Sequence, residues 1–260
     1  MSTAFTSKYG PWAVIAGASE GLGAAFANAL AARGVNLVLL ARRAELLQEL
    51  AEGLRKQGVQ VRTVACDLAR PDLVEVLEEA TRELEVGLAV YNAAYAPIGT
   101  FMEQKTEALL RVVDVNVRGP IVFARMLTPK MIARRRGGVL LMSSMAGFQG
   151  APNIATYAAS KAFTTVLGES LWHELAPQGV DVVVSCAGAI RTPGYKQSAK
   201  GDAPGTLNAE DVAEASLNTL GKGPIVVPGM TNQFARFLLG RVLSRRAAVA
   251  LMARSTMELS

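Results

Sequence analysis

A phenol, an ammonium group and a hydroxyl stand at spacings that could support proton transfer. Tyr157 and Lys161 are four residues apart, so on a helix they share one face, one turn apart. Ser144 lies thirteen residues before Tyr157, directly after apolar residues that indicate a buried strand. We therefore expect the three side chains to meet just beyond the end of that strand.

These three groups suit proton exchange with a carbonyl or an alcohol. The pKa of a free tyrosine is about 10, and we expect Lys161 to lower it by stabilising the phenolate. Tyr157 could then donate a proton to a carbonyl oxygen or accept one from an alcohol, while Ser144 holds the same oxygen. None of the three supplies electrons, so a redox reaction needs a cofactor.

A glycine-rich segment near the N-terminus is typical of nucleotide binding. Gly17, Gly21 and Gly23 follow the apolar run Trp12–Ala16 and precede a predicted helix over residues 24–33. Glycines between a strand and a helix let the backbone approach a pyrophosphate, whose charge the helix N-terminus favours. This spacing alone is a weak signal, as is Tyr-x-x-x-Lys alone. Their occurrence in one chain carries the prediction.

Two arginines follow the second predicted strand, Asn36–Ala41. At this position an acidic residue binds the ribose 2′-hydroxyl of NAD, whereas an arginine accommodates the 2′-phosphate of NADP. Arg42 and Arg43 therefore indicate NADP(H), with NAD(H) as the alternative. Glu20, inside the glycine-rich segment, argues for NAD(H) if it faces the same phosphate.

Strands and helices alternate along the chain with short loops between them. This order predicts a parallel sheet with helices on both faces, whose ligands bind at the carboxyl ends of the strands. Asp67 and Asn92 lie at such ends, which favours cofactor contact over a role as turn residues. Further predicted strands cover residues 59–65, 87–91, 180–185 and 224–227, and further predicted helices cover 44–56, 71–84 and 209–220.

Three further segments shape the prediction. A long helix over residues 106–135 contains Asn116 and a Gly119-Pro120 pair, which should bend it. The polar segment 194–208 suits a lid over a substrate, with an insertion of no function as the alternative. Residues 231–259 predict one or two amphipathic helices that pack on the core, contact another subunit or rest on an anionic membrane surface.

Composition bounds the function classes. With 260 residues, half of them hydrophobic, the chain fits one α/β domain over residues 1–260. Cys66 and Cys186 lie in apolar runs, which indicates buried thiols and a reducing, cytoplasmic location. We expect no metal site, no signal peptide and no transmembrane segment. The net charge of +5 lies mostly in residues 229–260, with five arginines against one acid, which is too little to indicate nucleic-acid binding.

These motifs together resemble a classical short-chain dehydrogenase/reductase, over about residues 12–228. A weaker match is to its branch of 17β-hydroxysteroid dehydrogenases and 3-oxoacyl reductases. The resemblance implies a single-domain Rossmann fold, a doubly wound parallel sheet of about seven strands with a C-terminal helical extension. The matching residues are Gly17, Gly21, Gly23, Asp67, Asn92, Ala93, Asn116, Ser144, Tyr157, Lys161, Ile190 and Thr192.

The resemblance also implies residue roles. Tyr157 would be the acid/base, Lys161 would bind the nicotinamide ribose, Ser144 would position the substrate oxygen, and Asn116 would hold the helix bend and a water leading to Lys161. The implied cofactor-binding residues are Gly17, Ser19, Gly21, Leu22, Gly23, Arg42, Arg43, Asp67, Leu68, Asn92, Tyr157, Lys161, Ile190 and Thr192.

The resemblance further implies a homodimer or homotetramer built on the helices at 106–135 and 155–175. Two positions depart from the family pattern. Ala94 replaces a glycine, which should narrow the adenine-side wall or shift a loop. Ala187 replaces a proline, which should loosen the turn before the nicotinamide segment. Neither change removes a reacting group.

Three functions remain open at this point. The first is an NADPH-dependent carbonyl reductase, reversible as an alcohol dehydrogenase. The apolar residues Tyr95, Met145, Phe148 and Ile154 near the predicted site indicate a fairly large, apolar ketone such as a steroid, a 3-oxoacyl group or an aromatic ketone. The second is NAD-dependent alcohol oxidation. The third is a non-catalytic nucleotide-binding regulatory protein, which has no evident use for the complete Asn/Ser/Tyr/Lys set.

Overall fold

The computed structural model describes residues 2–198 and 201–257. Seven parallel strands form one sheet in the order β3-β2-β1-β4-β5-β6-β9. They are β1 (Trp12–Ala16), β2 (Asn36–Ala41), β3 (Val61–Ala65), β4 (Val86–Tyr91), β5 (Gly137–Ser144), β6 (Val180–Ala187) and β9 (Ile225–Val226). Two short strands, β7 (Ile190–Arg191) and β8 (Leu207–Asn208), pair apart from it.

Helices cover both faces of the sheet. They are α1 (Ser2–Tyr9), α2 (Gly21–Ala31), α3 (Ala44–Arg55), α4 (Leu73–Thr81), α5 (Thr106–Val113), α6 (Gly119–Arg134), α7 (Ala155–Leu175), α8 (Pro193–Ser198), α9 (Ala209–Leu217), α10 (Met230–Phe237) and α11 (Arg245–Met257). The predicted α/β fold with seven parallel strands is confirmed. Within the described residues, no helix is long and apolar enough to cross a bilayer.

The core consists of two apolar layers, one on each side of the sheet. Alternate residues of a strand point to opposite faces, so Ile15 lies in the same layer as Phe26, while Val14 lies with Phe123 in the other. Because both faces are covered, β1 is buried at every position, as parallel strands usually are. The direction of strand order reverses beside β1, which opens a crevice at the carboxyl ends of the strands.

The predicted helix at 106–135 is interrupted. A π-helical segment, Asp114–Arg118, separates α5 from α6. The irregularity lies at Asn116, directly before the Gly119-Pro120 pair that led us to expect a bend. Such π segments occur frequently at functional sites.

Several element bounds differ from the prediction. The strand expected from Val59 begins at Val61, and the helix expected over 71–84 covers only Leu73–Thr81, because sequence patterns locate element ends poorly. Sequence reasoning missed α1, whose Tyr9 hydroxyl donates to Asp181. Part of the predicted lid is regular structure, α8 and β8. The tail forms α10, a π segment (Leu238–Val242) and α11, and residues 258–259 lie outside the described residues.

Candidate active site

A cleft of about 480 Å³, called here the main cavity, lies at the carboxyl ends of the central strands. All predicted site residues except Asn116 and Gly23 lie on its wall. Those on the wall are Gly17, Ser19, Gly21, Leu22, Arg42, Arg43, Asp67, Leu68, Asn92, Ser144, Tyr157, Lys161, Ile190 and Thr192.

The glycine-rich turn between β1 and α2 leaves no room for side chains. A Cβ on Gly17 would lie 2.6 Å from Ala93 Cα, and one on Gly23 would lie 2.0 Å from the Gly17 carbonyl oxygen. Gly17 and Gly21 also have positive φ angles of 80° and 55°, which favour glycine. The amide of Asn92 donates to the Gly17 carbonyl at 2.8 Å and joins this turn to β4. Gly23 therefore shapes the turn from behind the wall.

Arg43 is already engaged at the end of β2. Its guanidinium lies 2.7 Å from the Glu20 carboxylate and donates to the Ser19 hydroxyl at 3.1 Å. Arg42 and Arg43 are both exposed on the cavity wall. Glu20 thus lies at the position predicted for a 2′-phosphate, where it forms an ion pair with Arg43, the residue expected to bind that phosphate.

Asp67, at the end of β3, is held by a residue that sequence reasoning missed. Arg111 of α5 donates to its carboxylate at 2.5 Å and also lies over the Tyr95 ring, 5.5 Å from its centroid. Burial by itself would raise the pKa of Asp67, but hydrogen bonds from Arg111 and the Ala69 amide outweigh it and lower that pKa. Arg111 lines the main cavity, and no sequence motif marks it.

Ser144, Tyr157 and Lys161 meet on one wall, as their spacing predicted. Ser144 ends β5, and α7 presents Tyr157 and Lys161 one turn apart. The Lys161 ammonium donates to the Met142 carbonyl at 2.8 Å and lies 5.6 Å from the centre of the Tyr157 ring. Ser143 anchors the same turn of α7 by donating to the Lys161 carbonyl at 2.8 Å.

The pKa of Tyr157 moves in the direction opposite to our prediction. Burial raises it, and a hydrogen bond with Ser144 offsets only part of that rise. Burial also lowers the pKa of Lys161 to about 8. The reason is that both groups are removed from water, which disfavours the phenolate and the ammonium alike. In the protein without ligands, Tyr157 is therefore held as a neutral phenol.

Asn116 lies beside the site and not on its wall. Its amide group donates to the Tyr95 carbonyl at 2.9 Å and to the Ser160 hydroxyl at 3.0 Å, and its oxygen accepts from the Tyr95 amide at 2.8 Å. Asn116 thereby ties the π segment to α7 and to the loop after β4. Ala94, where the family has glycine, lies in that loop, and its neighbour Tyr95 is held at both backbone groups.

The apolar residues expected near the substrate are only partly on the main cavity. Tyr95 lines it, and Ile154 lines a small neighbouring cleft together with Tyr157. Met145 and Phe148 do not line the main cavity and instead pack against the buried cluster of Val184, Cys186 and Val227. Tyr195 of α8 lines the cavity and was not predicted. Both thiols are free and buried, as expected.

Comparison with known proteins agrees with this geometry. The family model described as short chain dehydrogenase matches residues 11–203. A 7beta-hydroxysteroid dehydrogenase from Clostridium sardiniense is 32% identical over 88% of this chain and 89% of its own length. A very-long-chain 3-oxoacyl-CoA reductase from Podospora anserina is 38% identical over 67% of this chain, but the match spans only 53% of that reductase.

Solved structures show the same relationship. A structure described as giving insights into 7beta-hydroxysteroid dehydrogenase stereoselectivity superposes with a TM-score of 0.90 and 30% identity, over 95% of this chain and 98% of that one. A short-chain dehydrogenase from Sphingobium yanoikuyae in complex with NADPH superposes with a TM-score of 0.78 and 29% identity, over 95% of both chains.

The expected branch is supported by relatives named for 7β-hydroxysteroid and 3-oxoacyl-CoA chemistry. The family model covers well over half of the chain, and the main cavity contains all the residues on which the resemblance was based except Gly23 and Asn116. The chain therefore belongs to the short-chain dehydrogenase family and is an oxidoreductase.

Proposed function

We propose that the protein is an NADP(H)-dependent reductase that converts a fairly large, apolar ketone into a secondary alcohol, reversibly. The observation that carries this proposal is the shared cavity: Ser144, Tyr157 and Lys161 form one wall, and the glycine-rich turn and Arg43 form the other end. Carbonyl reduction requires a proton donor and a dinucleotide-binding site in the same cleft.

The residues present fit a dinucleotide. Gly17 and Gly21 have no Cβ, which would collide with Ala93 and Thr192, and both line the main cavity, so their backbone can approach a pyrophosphate there. Arg42 and Arg43 would hold the 2′-phosphate, and Asp67 and Asn92 line the same cavity after β3 and β4. When bound, NADPH supplies the hydride that no side chain of this protein can supply. The structural neighbour solved with NADPH supports the same cofactor.

The proton would come from Tyr157. Because burial raises its pKa, the hydroxyl stays protonated at neutral pH, and it would donate this proton to a carbonyl oxygen while a neighbouring cation stabilises the resulting phenolate. Ser144, its hydrogen-bond partner, would hold the same oxygen in place. In the reverse reaction, alcohol oxidation, the Tyr157 phenolate would accept the proton of the alcohol.

Lys161 would bind the nicotinamide ribose and would supply a positive charge beside Tyr157. Its ammonium is buried, 4% exposed, with the Met142 carbonyl as a hydrogen-bond acceptor. A buried cation close to the phenol ring favours transfer of the phenolic proton to substrate, since the resulting phenolate is better stabilised than in an uncharged pocket. Asn116, through Ser160 and Tyr95, would position α7 and the adjoining loop. This assignment makes Asn116 a positioning residue.

The substrate class rests on the cavity and the relatives. Tyr95, Ile190 and Tyr195 provide apolar surface on the main cavity, and the named relatives act on a hydroxysteroid and a very-long-chain 3-oxoacyl-CoA. The lid predicted over residues 194–208, of which 199 and 200 lie outside the described residues, would cover the bound substrate. Arg191 reaches across this segment to Asp202 at 2.7 Å and to Asn208 at 3.0 Å, which would hold it in place.

A homodimer or homotetramer would use α5, α6 and α7. Leu110 of α5, Ile121 of α6 and Val166 of α7 are large apolar side chains that are 58%, 44% and 63% exposed. Apolar side chains grouped on adjacent helices indicate a contact surface. The cytoplasmic location inferred from the free thiols remains a prediction.

The function is tested by following NADPH oxidation with a panel of ketones: steroids, 3-oxoacyl thioesters, aromatic ketones and small aliphatic ketones. We expect turnover with one of the bulky classes and a kcat/KM for NADPH at least about tenfold above that for NADH, since an arginine–phosphate contact contributes about 1.5–3 kcal/mol. Preference for NADH would contradict our interpretation of Arg42 and Arg43. Cofactor binding without turnover on any ketone would favour the non-catalytic alternative.

Glu20 is expected to weaken NADPH binding by competing for Arg43. In the variant Glu20→Gln, Arg43 loses its ion pair and a 2′-phosphate no longer meets a neighbouring carboxylate. Exposed ion pairs contribute up to about 1 kcal/mol, so we expect the KM for NADPH to fall about three- to fivefold, with that for NADH unchanged or raised. Glu45→Gln removes an equal charge at the start of α3 and serves as the control. If both variants alter the two cofactors alike, Glu20 does not act through Arg43.

A further inference from the structure

The C-terminal tail presents an apolar stripe to the outside of the molecule. Met230, Phe234 and Phe237 of α10 are spaced four and three residues apart and are 85%, 66% and 58% exposed. Val242, at the end of the following π segment, is 59% exposed. Single exposed apolar side chains are ordinary, but a contiguous group marks an interaction surface. We call residues 230–242 the tail surface.

The opposite side of α10 fixes this orientation. Asn232 is buried, and its amide donates to the Gly205 and Pro228 carbonyls, both at 3.0 Å. Gln233 donates to the Val227 carbonyl at 3.1 Å. The guanidinium of Arg236 lies 4.6 Å from the centre of the Phe148 ring. Because these contacts hold α10 against the body of the protein, the apolar stripe faces outward.

Positive charge surrounds the stripe. Four arginines, Arg236, Arg241, Arg245 and Arg246, fall within eleven residues, and the sequence contains no acidic residue from 229 to 257. All four arginines are exposed. A helical segment with phenylalanines on one side and arginines around it matches the pattern of helices that lie in the interface of a bilayer. Anionic headgroups attract each such cation with about 1 kcal/mol.

A second copy of the chain fits this surface less well. Homo-oligomers usually form through two-fold contacts in which the same patch meets itself. Such a contact across the tail surface would bring two sets of the same arginines together without intervening acids, and like charges placed opposite each other oppose association. An anionic lipid surface complements both the stripe and the charge.

We propose that the tail surface binds anionic phospholipid bilayers, with Phe234 and Phe237 inserted below the headgroups. This contact would place the membrane beside the main cavity, because Asn232 of the same helix packs against Gly188 of the cavity wall. An apolar substrate dissolved in the bilayer would then reach the site over a short distance. The proposal concerns binding and does not depend on the proposed reaction.

The test uses the full-length chain and sedimentation with vesicles. We expect binding to phosphatidylcholine vesicles that contain 30% phosphatidylglycerol, loss of that binding in about 0.5 M NaCl, where charges are screened over a few ångströms, and little binding to pure phosphatidylcholine. The double variant Phe234→Ser/Phe237→Ser should bind at least about tenfold more weakly, and Arg241→Gln/Arg246→Gln should weaken binding to a similar degree.

Two controls separate this surface from the others. Phe101→Ser removes an equally exposed phenylalanine elsewhere, 58% exposed, and should leave vesicle binding unchanged. Melting curves and light scattering on every variant check folding and oligomer size. Absence of sedimentation with anionic vesicles would overturn the proposal. The proposal would also be overturned if the double phenylalanine variant bound vesicles as wild type does. The same holds if that variant formed a smaller oligomer than wild type while its lipid binding was unaltered.

Discussion

Replacement of Tyr157 by phenylalanine is expected to lower kcat for ketone reduction by about 10²–10⁴-fold, the range over which a positioned general acid acts. The variant removes one oxygen from the cavity wall. It keeps the aromatic ring, which lies beside Lys161 and packs against the cluster that contains Ile154. The loss should appear in kcat and kcat/KM alike, because the proton is transferred only in the transition state. Steady-state NADPH oxidation with the best ketone measures it.

Cofactor binding separates this result from general damage to the site. NADPH fluorescence on titration should give a dissociation constant within about threefold of wild type for Tyr157→Phe, since the glycine-rich turn and Arg43 are untouched. The melting temperature should not fall, because burial of the hydroxyl is unfavourable to begin with. Turnover within tenfold of wild type, with binding intact, would remove Tyr157 as the proton donor.

Replacement of Lys161 by methionine is expected to abolish most activity and, in the same protein, to stabilise the fold. Burial lowers the pKa of Lys161 from 10.5 to about 8, which corresponds to about 3 kcal/mol of unfavourable burial of the charge at pH 7. Loss of the hydrogen bond to the Met142 carbonyl destabilises the variant by about 1 kcal/mol and so offsets part of this gain. We therefore expect the free energy of unfolding to rise by about 1–2 kcal/mol while kcat/KM falls at least about 100-fold.

The stabilising effect should depend on pH in a defined way. The pKa of Lys161 is lower in the folded state than in the unfolded state, so between about pH 8 and 10.5 the unfolded chain binds the extra proton. Wild-type stability relative to the variant therefore rises with pH across that window. The advantage of Lys161→Met is full below pH 8 and is lost as the pH approaches 10.5.

Denaturant unfolding of the ligand-free proteins at pH 7, 8.5 and 10 measures this gap. Lys56→Met, at the exposed end of α3, is the matched control and should change stability by no more than about 0.5 kcal/mol at any pH. A Lys161→Met protein that is less stable than wild type at pH 7 would mean that the ammonium is a net stabilising group, and our account of its pKa would be wrong.

The sequence alone was sufficient for the architecture and for most of the residues that line the main cavity. Strands such as β1 are apolar on both faces because helices cover both, and this pattern is visible without coordinates. Tyr157 and Lys161 share a face because helix geometry is periodic. Gly17 and Gly21 were predicted to let the backbone approach a pyrophosphate, and their positive φ angles and close neighbours explain why this turn contains glycine.

Properties that depend on several distant segments were not accessible in this way. The pKa of Tyr157 was predicted in the wrong direction because desolvation depends on everything packed around the phenol. Tyr157 packs against a buried cluster that contains Ile154 and also contacts the tail residue Met252. Arg111 was missed because its partner Asp67 is 44 residues away in sequence, and neither position has a motif that links it to the other.

What the sequence determined, then, is local: the periodicity of α7, the glycines of the turn after β1, and the order of strands and helices that leads to a parallel sheet. Only the tertiary structure decided that Asn116 supports the wall from behind, that Glu20 occupies Arg43, and that the phenylalanines of α10 face outward. The physical reason is that periodicity and backbone sterics act between near neighbours, whereas burial, ion pairing and exposure arise from contacts between segments far apart in the chain.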